Sequence, residues 1–338
     1  MKSPFPHPPH PGPPYGQRTR RPVVSAVVAM STMVLAMMVA TLTPPVPANA
    51  ATAHQLRVIT HNIAGGPTFH GAPEALDGVN AQIEEFRPDV IMLTEVCASQ
   101  RTAFQEAHPT WHVYFSVMVS NQRSCKVDGS TNIRQGQMLA SPYPISNISN
   151  DLLGHPDVDH YPDGEKRTKY FKLLCGDVAI PGHSATGLRA CVTHLRAFQD
   201  PEDHDAREAQ TAKIRSLLHD RIWTQGQAVT VAGDFNALPN WNAMNNMYRL
   251  TKDSSYTGTG DFHEADQTDK KFFDTHGPSV TCGENACRTG ERTIGRATKY
   301  DYAFISRNVT HGGLVSALAA DTYGSDHHLY RALFEIQY

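Results

Sequence analysis

Short apolar runs recur along the chain: Leu56–Thr60, Val90–Leu93, Val113–Val119, Val229–Ala232, Tyr302–Ile305 and Tyr330–Ile336. They are short, rich in β-branched and aromatic residues, and predict strands, several of them buried on both faces. Phe171–Ile180 and Leu188–Thr193 read as two further strands joined by the turn Pro181–Gly187. Two amphipathic helices are also predicted. One carries Val79, Ile83 and Phe86 on one face and stops before Pro88. The other runs from about Asp205 to Ile222, with Ile214, Leu217, Leu218 and Ile222 inward and Arg207, Lys213 and Arg221 outward. No repeat or low-complexity linker interrupts Leu56–Ile336. A single large domain of mixed strands and helices, α/β or α+β, is expected.

The first fifty residues differ in kind. They hold 11 of the 23 prolines, 5 of the 10 methionines, the cations Lys2, Arg18, Arg20 and Arg21, and no acidic residue. Arg18–Arg21 precede an apolar run, Val23–Leu42, followed by Ala48-Asn49-Ala50. Charged segment, apolar segment and small-residue site read as a secretory signal spanning 1–50 and removed after Ala50, leaving a domain over 51–338. An uncleaved anchor is the rival, since about 20 apolar residues can span a bilayer. The export route, general secretory or twin-arginine, stays open. No later segment is long and apolar enough to cross a membrane. An exported, extracellular monomer without stable membrane association is expected.

Removing that segment changes the charge picture. The whole chain has a formal charge of −3, but residues 51–338 carry 26 cations against 33 acids, a charge of −7. That excludes a polybasic nucleic-acid tail and argues against binding DNA through a broad basic face. All six cysteines (Cys97, Cys125, Cys175, Cys191, Cys282, Cys287) follow the signal, as expected for an oxidising destination. Six allow 15 pairings. Cys175 and Cys191 flank the Pro181–Gly187 turn symmetrically and should face each other, and Cys282 and Cys287 bracket a short loop. Cys97 and Cys125 remain by elimination. The absence of any CxxC pair weighs against a zinc site.

The chemistry lies where the apolar strands stop. Leu56–Thr60 ends in His61-Asn62, Val90–Leu93 in Thr94-Glu95, Leu188–Thr193 in His194, and Val229–Ala232 in Gly233-Asp234-Phe235-Asn236. Tyr300-Asp301-Tyr302 opens a strand and Ser325-Asp326-His327 precedes the last. Hard oxygen ligands such as Glu95 and Asp326, with Asn62 nearby, suit Mg²⁺. An Asp–His pair orients an imidazole for general base work, and a second His can stabilise charge developing on a phosphoryl group. Singly, each of these residues reads as a turn residue or a salt-bridge partner; in this order they read as one site.

The ordered motifs THN (Thr60–Asn62), RPDVIMLTEV (Arg87–Val96), SPYPI (Ser141–Ile145), THL (Thr193–Leu195), GDFN (Gly233–Asn236), KYDY (Lys299–Tyr302) and SDH (Ser325–His327) resemble the endonuclease/exonuclease/phosphatase family. The resemblance covers Arg57 to about Glu335 and implies a four-layer α/β sandwich, two packed mixed β-sheets flanked by helices, with the active site at one end. It implies that Glu95 ligates Mg²⁺ (Mn²⁺ and Ca²⁺ being alternatives), that Asn62 helps place metal and phosphate, and that Asp326 completes the acidic cluster. Asp234 would position or activate the attacking water, Asn236 orient the phosphate, and His194 stabilise the pentavalent transition state. Asp301 would hold His327 as a base-like partner, and Arg167, by a looser transfer, would bind phosphate. Water would displace the leaving group in line, without a covalent intermediate.

Many nucleases of that family have Gln-Glu where this chain has Thr94-Glu95, and Pro where it has Leu329. These departures touch substrate class rather than chemistry. A polynucleotide is the expected phosphodiester substrate, gripped by the cationic segment Arg288, Arg292, Arg296, Lys299 or by metal-assisted contacts, with a solvated loop as the other reading of that segment. Three alternatives stay open. One is a sphingomyelinase or phospholipase C, which Thr60-His61-Asn62 and Glu95-Val96 resemble but whose paired surface aromatics are not seen. The others are a phosphomonoesterase acting on nucleotides or inositol phosphates and a non-catalytic exported binding or toxin module.

Overall fold

The computed structural model describes residues 53–127, 133–160, 166–183, 187–249, 258–265, 291–295, 298–310 and 315–337. The expected signal over 1–50 and the predicted Cys282–Cys287 staple, with Arg288 and Arg296, lie outside the described residues.

Among the described residues the strands form two mixed sheets. The first contains β1 (Ala53–Asn62), β2 (Val90–Cys97), β3 (His112–Val119), β4 (Gln135–Ser141), β6 (Asp157–His160), β7 (Lys166–Lys169), β13 (Val315–Ala319) and β14 (Tyr330–Gln337), in the order β13-β14-β1-β2-β4-β3-β7-β6. The second contains β5 (Ile145–Leu152), β8 (Lys172–Val178), β9 (Leu188–His194), β10 (Ala228–Asp234), β11 (Phe262–Glu264) and β12 (Asp301–Ser306), in the order β11-β12-β10-β9-β8-β5. Each sheet has one parallel pair near its middle, β1 with β2 and β9 with β10, flanked by antiparallel neighbours.

Side chains alternate across a strand, so each sheet has an inner and an outer face. The inner faces meet in one core that includes Leu56, Val58, Val90, Met92, Val192, Ala232, Ala303 and Phe334. The outer face of the first sheet packs Ile59, Ile91 and Leu93 with Val79 of α1 (Asp77–Phe86) and Phe104 of α2 (Ala98–Ala107). The outer face of the second sheet packs Val229, Val231 and Phe304 with Ile214, Leu218 and Ile222 of α3 (Pro201–Trp223). The result is the expected four-layer sandwich.

Cys175 lies opposite Cys191 in the β8–β9 register, and the two are bonded, with Cα atoms 4.1 Å apart. Cys97 and Cys125 form the second disulfide. Two expectations need correction. Arg207, placed outward by periodicity, is fully buried; its Nη1 donates to the carbonyls of Arg196 (2.9 Å) and Phe198 (2.7 Å), and its guanidinium lies over the Trp241 ring. Lys299, placed in a phosphate-gripping loop, is buried beside Glu264 (3.3 Å) and between the Tyr302 and Tyr330 rings. Both charges found internal partners, which overrides the usual preference of cations for water.

One glycine is required by the register. Gly233 in β10 has φ +139°, and a Cβ there would stand 1.9 Å from the Thr193 carbonyl oxygen of β9. Gly233→Ala is expected to cost about 3 kcal/mol, because neither strand backbone can retreat. Urea unfolding of the variant beside the parent measures it; a difference under about 0.5 kcal/mol would contradict this account of the β9–β10 contact.

Candidate active site

The inner-face register carries the apolar core straight into the polar site. Val192 is followed two residues on by His194, and Ala232 by Asp234, while Ala303 is preceded two residues back by Asp301. The strand pairing aligns Asp234 with His194 on one side and with Asp301 on the other. Three polar side chains thus form one row across β9, β10 and β12. In the first sheet Leu56, Val58, Thr60 and Asn62 share a face, so Asn62 continues that sheet's inner row.

Glu95 reaches the same cleft by a different device. The β2–β4 register shifts between Leu93 and Val96, and Glu95 has φ +56°. A bulge of this kind re-aims one side chain without disturbing the strand on either side. Its backbone is supported by a relay in which Arg167 donates to Gln122 (3.2 Å), Gln122 to Gln135 (3.2 Å), and Gln135 to the Glu95 carbonyl (3.5 Å).

The two sheets meet at Asn62. Its Nδ2 donates to Glu95 Oε1 (3.3 Å) and to Asp234 Oδ2 (3.1 Å). Asp234 Oδ2 also lies 3.6 Å from His194 Nε2 and 3.8 Å from His327 Nε2, and Oδ1 accepts from the Asn236 backbone N–H (2.8 Å). The Asn236 side chain donates to the Leu195 carbonyl, tying this turn to the one after β9. His327 Nδ1 is 2.7 Å from Asp301 Oδ2. The Ser325 hydroxyl donates to the Asn62 carbonyl (2.7 Å) and accepts from the His327 N–H, which docks the SDH turn on the end of β1. The structure therefore brings Asn62, Glu95, His194, Asp234, Asn236, Asp301 and His327 together. Asp326 is exposed beside them, and Arg167 is buried in β7 as a support for Glu95.

Burial and neighbouring charge set the protonation states. Burial pushes the Asp234 carboxyl up to about 7, against the pull of His327 and the hydrogen bonds from Asn236 and Asn62. Burial opposes protonation of His327, but Asp301 and Asp234 outweigh it and push its pKa up to about 10. Burial, with the Lys169 and His327 cations, holds His194 well below the ordinary value, so it is neutral. His61, also buried, is lowered to about 4; its Nε2 faces the His327 carbonyl at 3.1 Å, which makes that nitrogen the donor.

Four contributors escaped the sequence reading. His61 stood inside the THN motif without a role. Lys169 has no motif around it, Thr293 accepts the Tyr300 and Asp301 N–H groups (3.0 and 2.9 Å), and the Gln122–Gln135 relay joins the segment after β3 to the start of β4. Only His61 had a local signal, its neighbour Asn62.

The donor set fits a divalent cation. Glu95 and Asp234 both face the one Asn62 amide, and the buried Asp301 Oδ1 accepts no hydrogen bond; with His327 deprotonated, Asp234, Asp301 and His327 would also offer ligand atoms within 4.8 Å of one another. Carboxylate and amide oxygens of this kind favour hard cations.

Carboxylates and imidazoles gathered at one end of a two-sheet sandwich fit the metal-dependent phosphoester hydrolases, the class to which members of the matching family belong. The chain belongs to the endonuclease/exonuclease/phosphatase family, whose model matches residues 59–327. No curated protein sequence matches it. Among solved structures, the human Nocturnin catalytic domain with bound sulfate is 19% identical, with a TM-score of 0.54, covering 85% of this chain and 97% of that one. An endonuclease/exonuclease/phosphatase from Beutenbergia cavernae is 17% identical (TM-score 0.52; 83% of this chain, 72% of that one). One from Bacteroides vulgatus is 16% identical (TM-score 0.52; 84% and 99%). These likenesses establish the fold.

The Asp301–His327 pair makes a pH prediction. A histidine whose folded pKa is raised contributes stability that is fully present below its unfolded value near 6.5 and is lost as pH rises through about 10. Asp301→Asn should lower the His327 pKa by roughly one to three pH units and move that loss of stability to lower pH. Imidazole NMR titration of the metal-free protein reads the first and thermal melts across pH 6–11 the second. An unmoved His327 titration would contradict the pairing.

Proposed function

We propose that the chain is an exported, divalent-metal-dependent phosphodiesterase that cleaves polynucleotide. The observation that carries the reading is the convergence of Asn62 and Glu95 from one sheet with His194, Asp234, Asp301 and His327 from the other at a single cleft.

In this reading Glu95 and Asn62, with Asp326 alongside, hold the cation, for which Mg²⁺ is first choice; when bound, it supplies charge neutralisation at the phosphate. Asp234, with a pKa near neutrality and oxygens fixed by Asn62 and Asn236, positions a water and takes its proton. His194, neutral and beside Asp234, donates a hydrogen bond to a phosphoryl oxygen. His327, kept cationic by Asp301, faces the negative charge that grows as water enters in line and the leaving oxygen departs opposite. This makes His327 a charge stabiliser rather than the base-like partner expected from the motif. Asn236 orients the phosphate, and Arg167 acts behind Glu95.

The disulfides at Cys97–Cys125 and Cys175–Cys191 support an oxidising, exported destination. The mature protein is read as a monomer. The net charge of −7 over 51–338 requires any grip on nucleic acid to be local.

The test is hydrolysis of bis-p-nitrophenyl phosphate with Mg²⁺ or Mn²⁺. Chelation should abolish turnover and metal should restore it, while His194→Ala should lower kcat by about 10²–10⁴-fold with the fold intact by circular dichroism. No turnover with either metal, or full activity in His194→Ala, would remove this reading, and turnover that survives chelation would remove its metal dependence. Plasmid DNA, RNA and sphingomyelin liposomes run in parallel decide the substrate: lipid cleavage with nucleic acid untouched would replace the nuclease by a sphingomyelinase.

A further inference from the structure

The loop between His194 and α3 carries a feature that the chemistry above does not use. Phe198, four residues beyond His194, is 66% exposed and has φ +74°. A bulky residue in the left-handed region is rare, because its Cβ crowds the backbone; Gly or Asn normally fills such a position. An exposed phenyl ring there does nothing for the core.

The surroundings nevertheless hold it in that conformation. The Leu195 N–H donates to the Asp234 carbonyl (2.9 Å), and the Leu195 carbonyl accepts from Asn236. The Arg196 N–H donates to Gln210 (3.0 Å), and Arg207 binds the Arg196 and Phe198 carbonyls from inside. Gln199 Nε2 donates to the Tyr300 hydroxyl (3.0 Å), next to Asp301. Asp200 then caps α3. A strained residue over-determined by its neighbours, on a loop whose Leu195 and Gln199 bond to Asp234 and Tyr300, is the pattern of a functional position.

We infer that the Phe198 ring is a stacking face for an unpaired nucleobase next to the scissile phosphodiester. The inference rests on the polynucleotide reading and sharpens it to single-stranded or locally unpaired substrate, since a base inside a duplex has no free face. Stacking is an uncharged source of affinity, which suits a domain of charge −7 whose Lys299 and Arg207 are buried. Asp200 and Glu202, two and four residues on in the sequence, are exposed, so sinking this stretch into a lipid surface would desolvate carboxylates. A base needs only the ring face.

The experiment compares a short single-stranded oligonucleotide with an abasic strand of the same length and backbone, using the Mg²⁺-loaded protein. Phe198→Ala should raise KM on the base-bearing strand by about 10-fold, with kcat nearly unchanged and the abasic strand cleaved as by the parent. Phe198→Trp should restore KM, whereas Phe198→Leu should behave like Ala. Phe198→Gly should lose the same affinity while its Tm stays level or rises, because the left-handed conformation is relieved. Parent-like KM in Phe198→Ala, equal losses on both strands, or rescue by Leu would each overturn stacking while leaving the nuclease reading in place. Failure of the parent to cut either nucleic acid, with sphingomyelin liposomes hydrolysed, would overturn both.

Discussion

Everything at the active end depends on one register, in which His194, Asp234 and Asp301 stand abreast on three hydrogen-bonded strands. Alternation puts all three on the inner face, so the second sheet holds them as rigidly as it holds Val192, Ala232 and Ala303 beneath them. Ala190, Ala228 and Ala332 share the inter-sheet core with larger side chains such as Leu56 and Phe334. At its polar end Asn62 of the first sheet donates to Asp234 of the second at 3.1 Å. A slip of one residue in β10 would turn Asp234 outward and leave two imidazoles without their central carboxylate.

The same register creates an electrostatic problem. Asp234 and Asp301 are 1% and 0% exposed, close enough that the Asp301 charge disfavours ionisation of Asp234. The site meets this with a histidine held protonated between them, an amide shared with Glu95, and a proton retained by Asp234 up to about pH 7. His194 stays neutral in the same field because it is buried and because Lys169 and His327 already carry positive charge nearby. Two imidazoles on one carboxylate thus occupy different states, and different states permit different tasks: one donates a neutral hydrogen bond, the other offers charge. His61 adds a mechanical constraint, fixing the His327 carbonyl from behind.

The main strands were readable because their cores are apolar and their ends abruptly polar; Asn62, Glu95, His194, Asp234, Asp301 and His327 stood out as breaks in hydrophobic runs. α2 was not readable, since Ala98–Ala107 offers little beyond Ala98 and Phe104 to the core and owes its start to a cap between Cys97 and Gln100. Nor was β5, whose alternating Ser, Asn and Asp are largely exposed at the edge of its sheet. The Glu95 bulge is a pairing irregularity and has no residue signature. Thr293 and the Gln122–Gln135 relay matter through contacts made only after separate segments meet. The disulfides at Cys175–Cys191 and Cys97–Cys125 followed from symmetry about a turn and from elimination, which are topological arguments and do not depend on packing.

Arg207 shows most clearly where periodicity stops being a guide. A cation on the polar side of a helix belongs in water unless carbonyls replace the hydration it loses. Here the chain leaving His194 folds back over α3 and supplies two, from Arg196 and Phe198, while Trp241 covers the guanidinium face. Hydrogen bonds from a charged donor are stronger than those from a neutral one, and these two close the loop from within. The buried charge and the strained Phe198 backbone are therefore one arrangement, since the Arg207 guanidinium binds the Phe198 carbonyl directly. A helix residue that looked like surface is the internal brace of the loop beside the catalytic row.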